Sequence, residues 1–513
     1  MENSNAMEKG RVSVPDVVYD KTVNCDAAVE VSLADYLPEI KRLLRVQATV
    51  MPPEKYVGTT AVELSGTVDY SILYAGNDGA LYCASQTGEY QCTVPIESLS
   101  SVDVSEGILA LVQVNCESAT GRVSGPRRVG VKSRLRIRVR LLGSRLLGEG
   151  IGSASVGNMQ FLQGRAQCRR LFHGIGERLA LADEILIDPA HEGLRVVCGE
   201  GQVFVTEAMA GSGCVDCRGE VALKLLCVRN EGEAPMAMMR RIPFSQSVAM
   251  DGVEVNCDCC ATGVCADLSV TVEEGRLLCE VGVLLSARAQ RNESAAYVKD
   301  AYSDATSEVC TYGTVTLPYA QKCHQGNFSL NRTMTLEEAG MRAGQSVIDL
   351  SLSPFVTGVE SENGKYVVTG RCRCHVVLAS DGDYSAQEFD LPFRYETDGS
   401  AEALFEADAF VTAISASARM DGERISVDGE LAVSLACSGS GSMAYLDRIT
   451  FGEQVKREGA AYTVCYPSAD DTLWSVGKRY HRPVEALMQE NPIAGAPAAD
   501  SADSLAGIRY LLV

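Results

Sequence analysis

Along most of the chain, apolar and polar residues alternate in short runs broken by Gly, Asp, Asn and Ser. Alternation with a period of two sends successive side chains to opposite faces, so these runs predict half-buried strands joined by tight turns. The clearest case is "RLRIRVRL": Leu135, Ile137, Val139 and Leu141 share one strand face, and Arg134, Arg136, Arg138 and Arg140 share the other. From about residue 17 to 455 this texture predicts a mainly β architecture. One stretch departs from it. In "SLADYLPEIKRLLRVQATV", Ile40, Leu43 and Leu44 fall on one helical face and Pro38 suits a first turn, which predicts a short helix entering the first β-domain.

The runs also repeat. "GTVDYSILYAGNDG" from Gly66, "GEVALKLLCVRNEG" from Gly219 and "GRCRCHVVLASDG" from Gly370 each start on Gly, alternate into an apolar stretch and close on an acidic-Gly turn, the signature of a hairpin. A second landmark, "RRVGVKSRLRIRVRL", "GRLLCEVGVLLSARA" and "ERISVDGELAVSLAC", places Arg128, Arg276 and Arg424 at two equal intervals of 148 residues. A domain-sized period implies tandem β-rich domains and not a solenoid. The expected organisation is a flexible tail over 1–16, β-domains over 17–147, 181–301 and 333–456, linkers over 148–180 and 302–332, and a small unit over 460–513.

The pattern changes in that last unit. "AYTVCYP" predicts a strand through Tyr462 and Val464, and Asp471 with Thr472 supplies N-cap chemistry. Leu473, Val476 and Tyr480 then recur at helical spacing. A second helix follows from Pro483 through Val484, Leu487 and Met488 to Asn491-Pro492, and "IRYLLV" closes as a strand. The order is strand, helix, helix, strand.

Composition narrows the function. At 513 residues the chain exceeds one ordinary core of about 100–200 residues. Its 46% hydrophobic and 22% charged residues are those of a folded globular protein. A net charge of −21 repels nucleic acid and anionic lipid surfaces, so no nucleic acid is expected as a partner and any such surface would need a local basic patch. The stretch "MENSNAMEKGRVSVPD" lacks an apolar core, and no run approaches the roughly 18 apolar residues of a membrane span. The expectation is a protein that stays where it is made, with no transmembrane insertion and its 20 cysteines mostly small buried thiols.

Tyr462, Val464, Asp471, Thr472, Leu473, Trp474, Lys478, Arg479, Tyr480, Val484, Leu487, Asn491 and Pro492 match the pattern of a LysM domain, which the tail resembles. "SLADYLPEIKRLLRVQATV", "VELSGTVDYSILYAG" and "RRVGVKSRLRIRV" resemble the SPOCS domain of sporulation proteins. Three SPOCS-like copies before a LysM-like unit are similar to the SipL-like family of spore-coat morphogenesis proteins. That resemblance implies a non-enzymatic adaptor in the mother-cell cytoplasm. It would be recruited to the forespore surface by a SpoIVA-type coat morphogenetic ATPase and assemble the spore coat and cortex, with other coat proteins as further candidate partners. The alternative is a protein of cell wall or cortex that binds peptidoglycan or N-acetylglucosamine through its tail. Asp470 stands where the family usually has Gly, which adds a charge to the loop bordering the glycan groove and weakens the sugar-binding expectation.

The candidate partner-binding set of the tail is Asp471, Thr472, Leu473, Trp474, Lys478, Arg479, Tyr480, His481 and Asn491, with core and interface members not separable from sequence. Trp474, the only tryptophan, reads as a core anchor or as a ligand-stacking ring. The stripe Arg134, Arg136, Arg138 and Arg140 reads as a docking surface for an acidic partner or for anionic lipid headgroups, or as four guanidiniums paired with carboxylates of neighbouring strands. Cys214, Cys217, Cys257, Cys259, Cys260 and Cys265 could supply zinc ligands, but the alternation of "VNCDCC" makes them ordinary strand thiols, and no metal or cofactor is expected. His173, His191, His324, His375 and His481 are scattered, without a nucleophile elbow, a metal-binding helix motif or a phosphate loop, so no active site is expected.

Overall fold

Alternation sets the local structure almost everywhere. In a computed structural model of the chain, residues 12–513 are described apart from 97–101, 104–106, 152–158, 188–192, 230–233, 274, 381, 401–403, 456–462, 492, 494–497 and 506. The fold is mainly β, built from antiparallel sheets. The first repeat contains β1 (Val12–Ser32), β2 (Ile40–Val50), β3 (Glu54–Val57), β4 (Ala61–Gly76), β5 (Leu81–Pro95), β6 (Val102–Asp103), β7 (Leu109–Gly125) and β8 (Arg128–Leu147). One sheet runs β1-β8-β6 with β7 also on β8, and the other runs β2-β4-β3 with β5 also on β4. The inward residues of β8, Leu135, Ile137, Val139 and Leu141, are fully buried between the two.

The second repeat holds β9 (Met159–Ile175), β10 (Leu179–Leu186), β11 (Arg195–Ala210), β12 (Cys214–Val228), β13 (Met236–Ala249), β14 (Asp258–Glu273) and β15 (Arg276–Ser303). The third holds β16 (Thr306–Ala320), β17 (His324–Thr335), β18 (Ser346–Glu362), β19 (Lys365–Ser380), β20 (Asp383–Asp398), β21 (Glu406–Asp421) and β22 (Arg424–Gln454). Both follow the plan of the first with one strand in place of the pair β2 and β3: a three-stranded sheet, β11-β12-β13 or β18-β19-β20, faces a four-stranded sheet around the long strand β15 or β22. The repeated glycines have one purpose. Gly66, Gly219 and Gly370 stand directly across from Tyr90, Phe244 and Phe393, and a Cβ on any of them would overlap that ring. The missing side chain lets the aromatic lie over the neighbouring strand.

Three expectations fail. The helix predicted around Ile40, Leu43 and Leu44 is strand β2, paired with β4 through register shifts between Ile40/Arg42 and Leu43/Arg45. The bulges send Leu43 toward the repeat's own core and Leu44 toward the other repeats, and so imitate helical spacing within a strand. The tail predicted over 1–16 enters β1 at Val12, with Val14 fully buried. The linkers predicted over 148–180 and 302–332 largely form β9, β10, β16 and β17. β9 and β10 together pair along β15, and β16 and β17 along β22, as the single strand β1 pairs along β8. Their alternation is hidden because the inward residues are small or only partly covered.

The sheets around β4, β12 and β19 meet cyclically: β5 contacts β11, β13 contacts β18, and β20 contacts β2. Equivalent contacts recur at two seams. The Arg195 guanidinium donates to the Leu81 carbonyl at 3.1 Å across the first, and Arg42 donates to the Tyr384 carbonyl at 2.7 Å across the third. Leu44, Leu73, Val197, Leu226 and Val377 converge from all three repeats in one apolar cluster. Each aliphatic side chain buried this way contributes about 1.5–3 kcal/mol.

Beside that cluster lies a buried ionic centre. Arg45 pairs with Glu200 of the second repeat and Asp349 of the third, and Lys224 reaches Asp349 at 3.0 Å and Glu200 at 3.3 Å. Two cations face two carboxylates, so the centre is neutral. Burial opposes the Asp349 charge, but Lys224 and Arg45 outweigh it and lower its pKa. Buried pairs of this kind add little over an apolar core, yet they penalise any arrangement that separates them.

Candidate functional site

The C-terminal unit consists of β23 (Val464–Cys465), α1 (Leu473–Tyr480), α2 (Val484–Glu490) and β24 (Leu511–Leu512), with β23 antiparallel to β24. Its start is built as the N-cap chemistry predicts. Thr472 Oγ1 accepts from the Ser475 N–H at 3.1 Å, and Ser475 Oγ accepts from the Thr472 N–H at 2.8 Å. Asp471 pairs with Arg479 and accepts from the Ser468 N–H at 2.9 Å, which together bring its carboxyl down to about 2. Leu473, Val476 and Leu487 are fully buried in the unit's own core with Cys465 and Leu511. Asn491 is structural: it donates to the Leu487 and Leu512 carbonyls at 2.8 and 3.0 Å and accepts from the Leu512 N–H at 2.8 Å, tying α2 to β24. Tyr462 and Pro492 lie outside the described residues.

Trp474 belongs to a different contact. Its ring is buried, but it packs edge-on to Tyr302 of β15 with ring centroids 4.8 Å apart, and its Nε1 donates to Asp300 Oδ2 at 2.8 Å. Lys478 Nζ reaches Asp300 Oδ1 at 2.6 Å, and the Tyr312 hydroxyl of β16 donates to the same oxygen at 2.6 Å. The Tyr302 hydroxyl donates to the Arg482 carbonyl at 2.7 Å, and His481 Nδ1 sits 2.8 Å from the Ser303 carbonyl. Lys299 pairs with Asp500 at 2.8 Å. Burial raises the cost of the Asp300 charge, yet the hydrogen bonds from Lys478, Trp474 and Tyr312 prevail and hold its pKa below the ordinary range.

Of the nine tail residues singled out in the sequence, Trp474, Lys478 and His481 therefore bind the chain's own second repeat, while Leu473, Thr472, Asp471 and Asn491 hold the unit together. Arg479 and Tyr480 keep substantial exposure. No motif pointed to Asp300, Tyr302 or Tyr312. One signal was available: Gly477, a poor helix former in mid-helix, where a Cβ would collide with the Tyr302 hydroxyl. What the unit leaves open is the other side of its ladder. Val464, Tyr466 and Tyr510 are 45%, 76% and 58% exposed around the buried Cys465–Leu511 pair.

The arginine stripe is also occupied from within. Arg134 lies 3.7 Å from Glu117 of β7, and the Arg136 guanidinium lies 5.8 Å from the ring centre of Phe355 in the third repeat. Arg138 pairs with Asp20 of β1 at 2.6 Å and with Asp408 of β21 at 3.2 Å. Arg140 is buried against Asp408 and lies 3.4 Å from Glu406, where Arg169 of β9 and Arg288 of β15 join from the second repeat. The stripe is thus engaged within the chain, by neighbouring strands and by the third repeat. Burial opposes the Asp408 charge, but Arg288, Arg140 and Arg138 outweigh it and depress its pKa.

All 20 cysteines are free. Cys217 and Cys257 lie in the core of the second repeat, and Cys260 packs with Cys323 of the third. Among the described residues no group of three or more His, Cys, Asp or Glu side chains converges to hold a metal ion. His191 lies outside the described residues. Among the described residues no helix is long and apolar enough to cross a membrane. No protein-family model, curated protein or solved structure matches the chain.

Proposed function

We propose that the chain is a non-enzymatic adaptor of spore-coat morphogenesis: a closed platform of three SPOCS-like repeats carrying a LysM-like unit that contacts a SpoIVA-type coat morphogenetic ATPase. The likeness of its motifs to the SipL-like family supplies the partner. The observation that carries the reading is the way the unit is mounted. One side is anchored to β15 and β16 through Trp474, Lys478 and His481, so the unit is held at a fixed place on the platform. Among the described residues, Val464, Tyr466 and Tyr510 at the β23–β24 ladder are exposed. Exposed tyrosines flanking one strand pair are among the residue types from which protein interfaces draw most of their binding energy.

The test is capture on the immobilised ATPase of three proteins: the full chain, a chain ending at Gln454, and the full chain with Tyr466→Ala and Tyr510→Ala. The full chain should bind, and the other two should lose roughly tenfold or more in affinity. Equal capture of all three would place the contact elsewhere and overturn the reading. Retention of the full chain by purified cell wall, without capture by the ATPase, would favour the glycan-binding alternative.

A further inference from the structure

The three seams between repeats are built alike but differ in one chemical respect. At the seam between the first and second repeats, Cys83 of β5 donates to Cys198 of β11 with the two sulfurs 3.3 Å apart. Of the three equivalent register positions, this is the one with a thiol on both sides. Cys83 pairs with Leu73 and Cys198 with Leu226, and the equivalent positions are Ala237 with Asp349 at the second seam and Ala386 with Arg45 at the third. Both thiols lie on paired strands, so their separation is set by two sheets and not by a loop.

We propose that Cys83 and Cys198 are a site of oxidative cross-linking, forming a disulfide that closes the seam between the first and second repeats when the protein meets a peroxide. Sulfurs 3.3 Å apart need close by only about 1.3 Å to reach bonding distance, within the reach of side-chain rotation. The surroundings favour the ionised form that the chemistry requires. Ser71 Oγ lies 3.3 Å from Cys83 Sγ and 3.5 Å from Cys198 Sγ, and the Arg45 guanidinium lies 4.0 Å from Cys198 Sγ. The hydrogen bond from Cys83 and the nearby Arg45 charge bring the Cys198 thiol down against the opposing effect of burial, while Cys83 moves up.

The step balances with hydrogen peroxide as oxidant. The Cys198 thiolate attacks one peroxide oxygen, the O–O bond breaks, and after protonation a sulfenic acid and one water remain. Cys83 sulfur then attacks the Cys198 sulfur, the S–S bond forms, and the sulfenic oxygen leaves with the Cys83 proton as a second water. Two thiols are oxidised and one peroxide is reduced. Cys83 is only partly buried, which gives a small oxidant a way in, whereas Cys198 is buried.

The experiment uses the full chain, purified in reductant, desalted and treated with hydrogen peroxide at neutral pH. Free thiols are then alkylated and the protein is digested for peptide mass mapping. The expected product is a peptide pair joined through Cys83 and Cys198. It should be abolished by Cys83→Ser or by Cys198→Ser, retained in Cys25→Ser, and reversed by dithiothreitol. The cross-linked protein should also unfold at a higher temperature than its reduced form, because the bond closes a loop of more than 100 residues. The proposal is overturned if both cysteines are recovered alkylated while other thiols oxidise. It is equally overturned if they are found joined to other cysteines or carried to sulfinic or sulfonic acid.

Discussion

Replacing Asp300 by Ala should release the C-terminal unit from the platform, and the chain's only tryptophan sits where it reports the event. The substitution removes the acceptor of Trp474 Nε1 at 2.8 Å and Lys478 Nζ at 2.6 Å, the two bonds that reach it from the unit, and of the Tyr312 hydroxyl at 2.6 Å and the Ala301 N–H at 2.8 Å within the platform. A hydrogen bond to a charged acceptor contributes about 1.5–3 kcal/mol, and the Lys478 pair must be discounted because its ammonium keeps about a third of its exposure. The two bonds that cross to the unit together set a loss of about 2–4 kcal/mol in docking, or roughly 1.5–3 decades in the docking equilibrium. The Tyr302–Trp474 packing and the hydrogen bond from Tyr302 to Arg482 remain to resist release. Trp474 should move from a buried to a wet environment, so its emission should shift to longer wavelength and its quenching by acrylamide should rise. The far-ultraviolet circular dichroism of the β repeats should stay unchanged. Lys478→Met should show the same effect more weakly. Acid is an independent check. Because the folded pKa of Asp300 is lowered, its contribution is fully present above the ordinary value of about 4 and is lost as pH falls through the folded value, so docking should weaken only under strongly acidic conditions. Identical emission and quenching in the wild type and Asp300→Ala would refute the docking argument.

Gly219→Ala should destabilise the second repeat by about 1–3 kcal/mol or more, because the new methyl would overlap both the Phe244 ring and the Phe204 carbonyl; the urea midpoint of unfolding measures it. Arg45→Met strands Glu200 and Asp349 with Lys224 as their remaining cation in the buried centre, and should cost about 3–5 kcal/mol in the same assay. His173 lies 3.0 Å from Ser286 Oγ, and burial with the charges of Lys55 and Arg288 pushes its pKa down to about 3. The unfolded chain takes up this proton below about pH 6.5 and the folded chain does not, so the group lowers stability progressively as pH falls from about 6.5 toward 3. His173→Gln should flatten the loss of thermal stability between neutral and mildly acidic pH.

Local pattern determined much of this protein. A period of two is a property of adjacent residues, so the inward row of β8 and the repeated hairpins were legible directly, as was the Thr472 cap of α1. The recurring Gly66, Gly219 and Gly370 marked the three copies because each must admit an aromatic ring from the next strand. Where local pattern misled, a distant partner had changed its meaning. Two bulges imposed by pairing with β4 gave β2 a helical spacing, and the lightly covered strands β9 and β16 read as linkers because their partners lie far along the chain. The functional surfaces depended most on tertiary structure. The outward arginines of β8 were evident in the sequence, but only the closed ring shows that Asp408 and Glu406, some 270 residues away, receive them. Likewise Trp474 announced itself as an anchor, and only the fold decides that it holds the unit to Asp300 and Tyr302 and not to its own core. Strand formation follows from the order of neighbouring side chains, whereas the choice between a free surface and an internal seam rests on which charges and rings the folded repeats bring opposite one another.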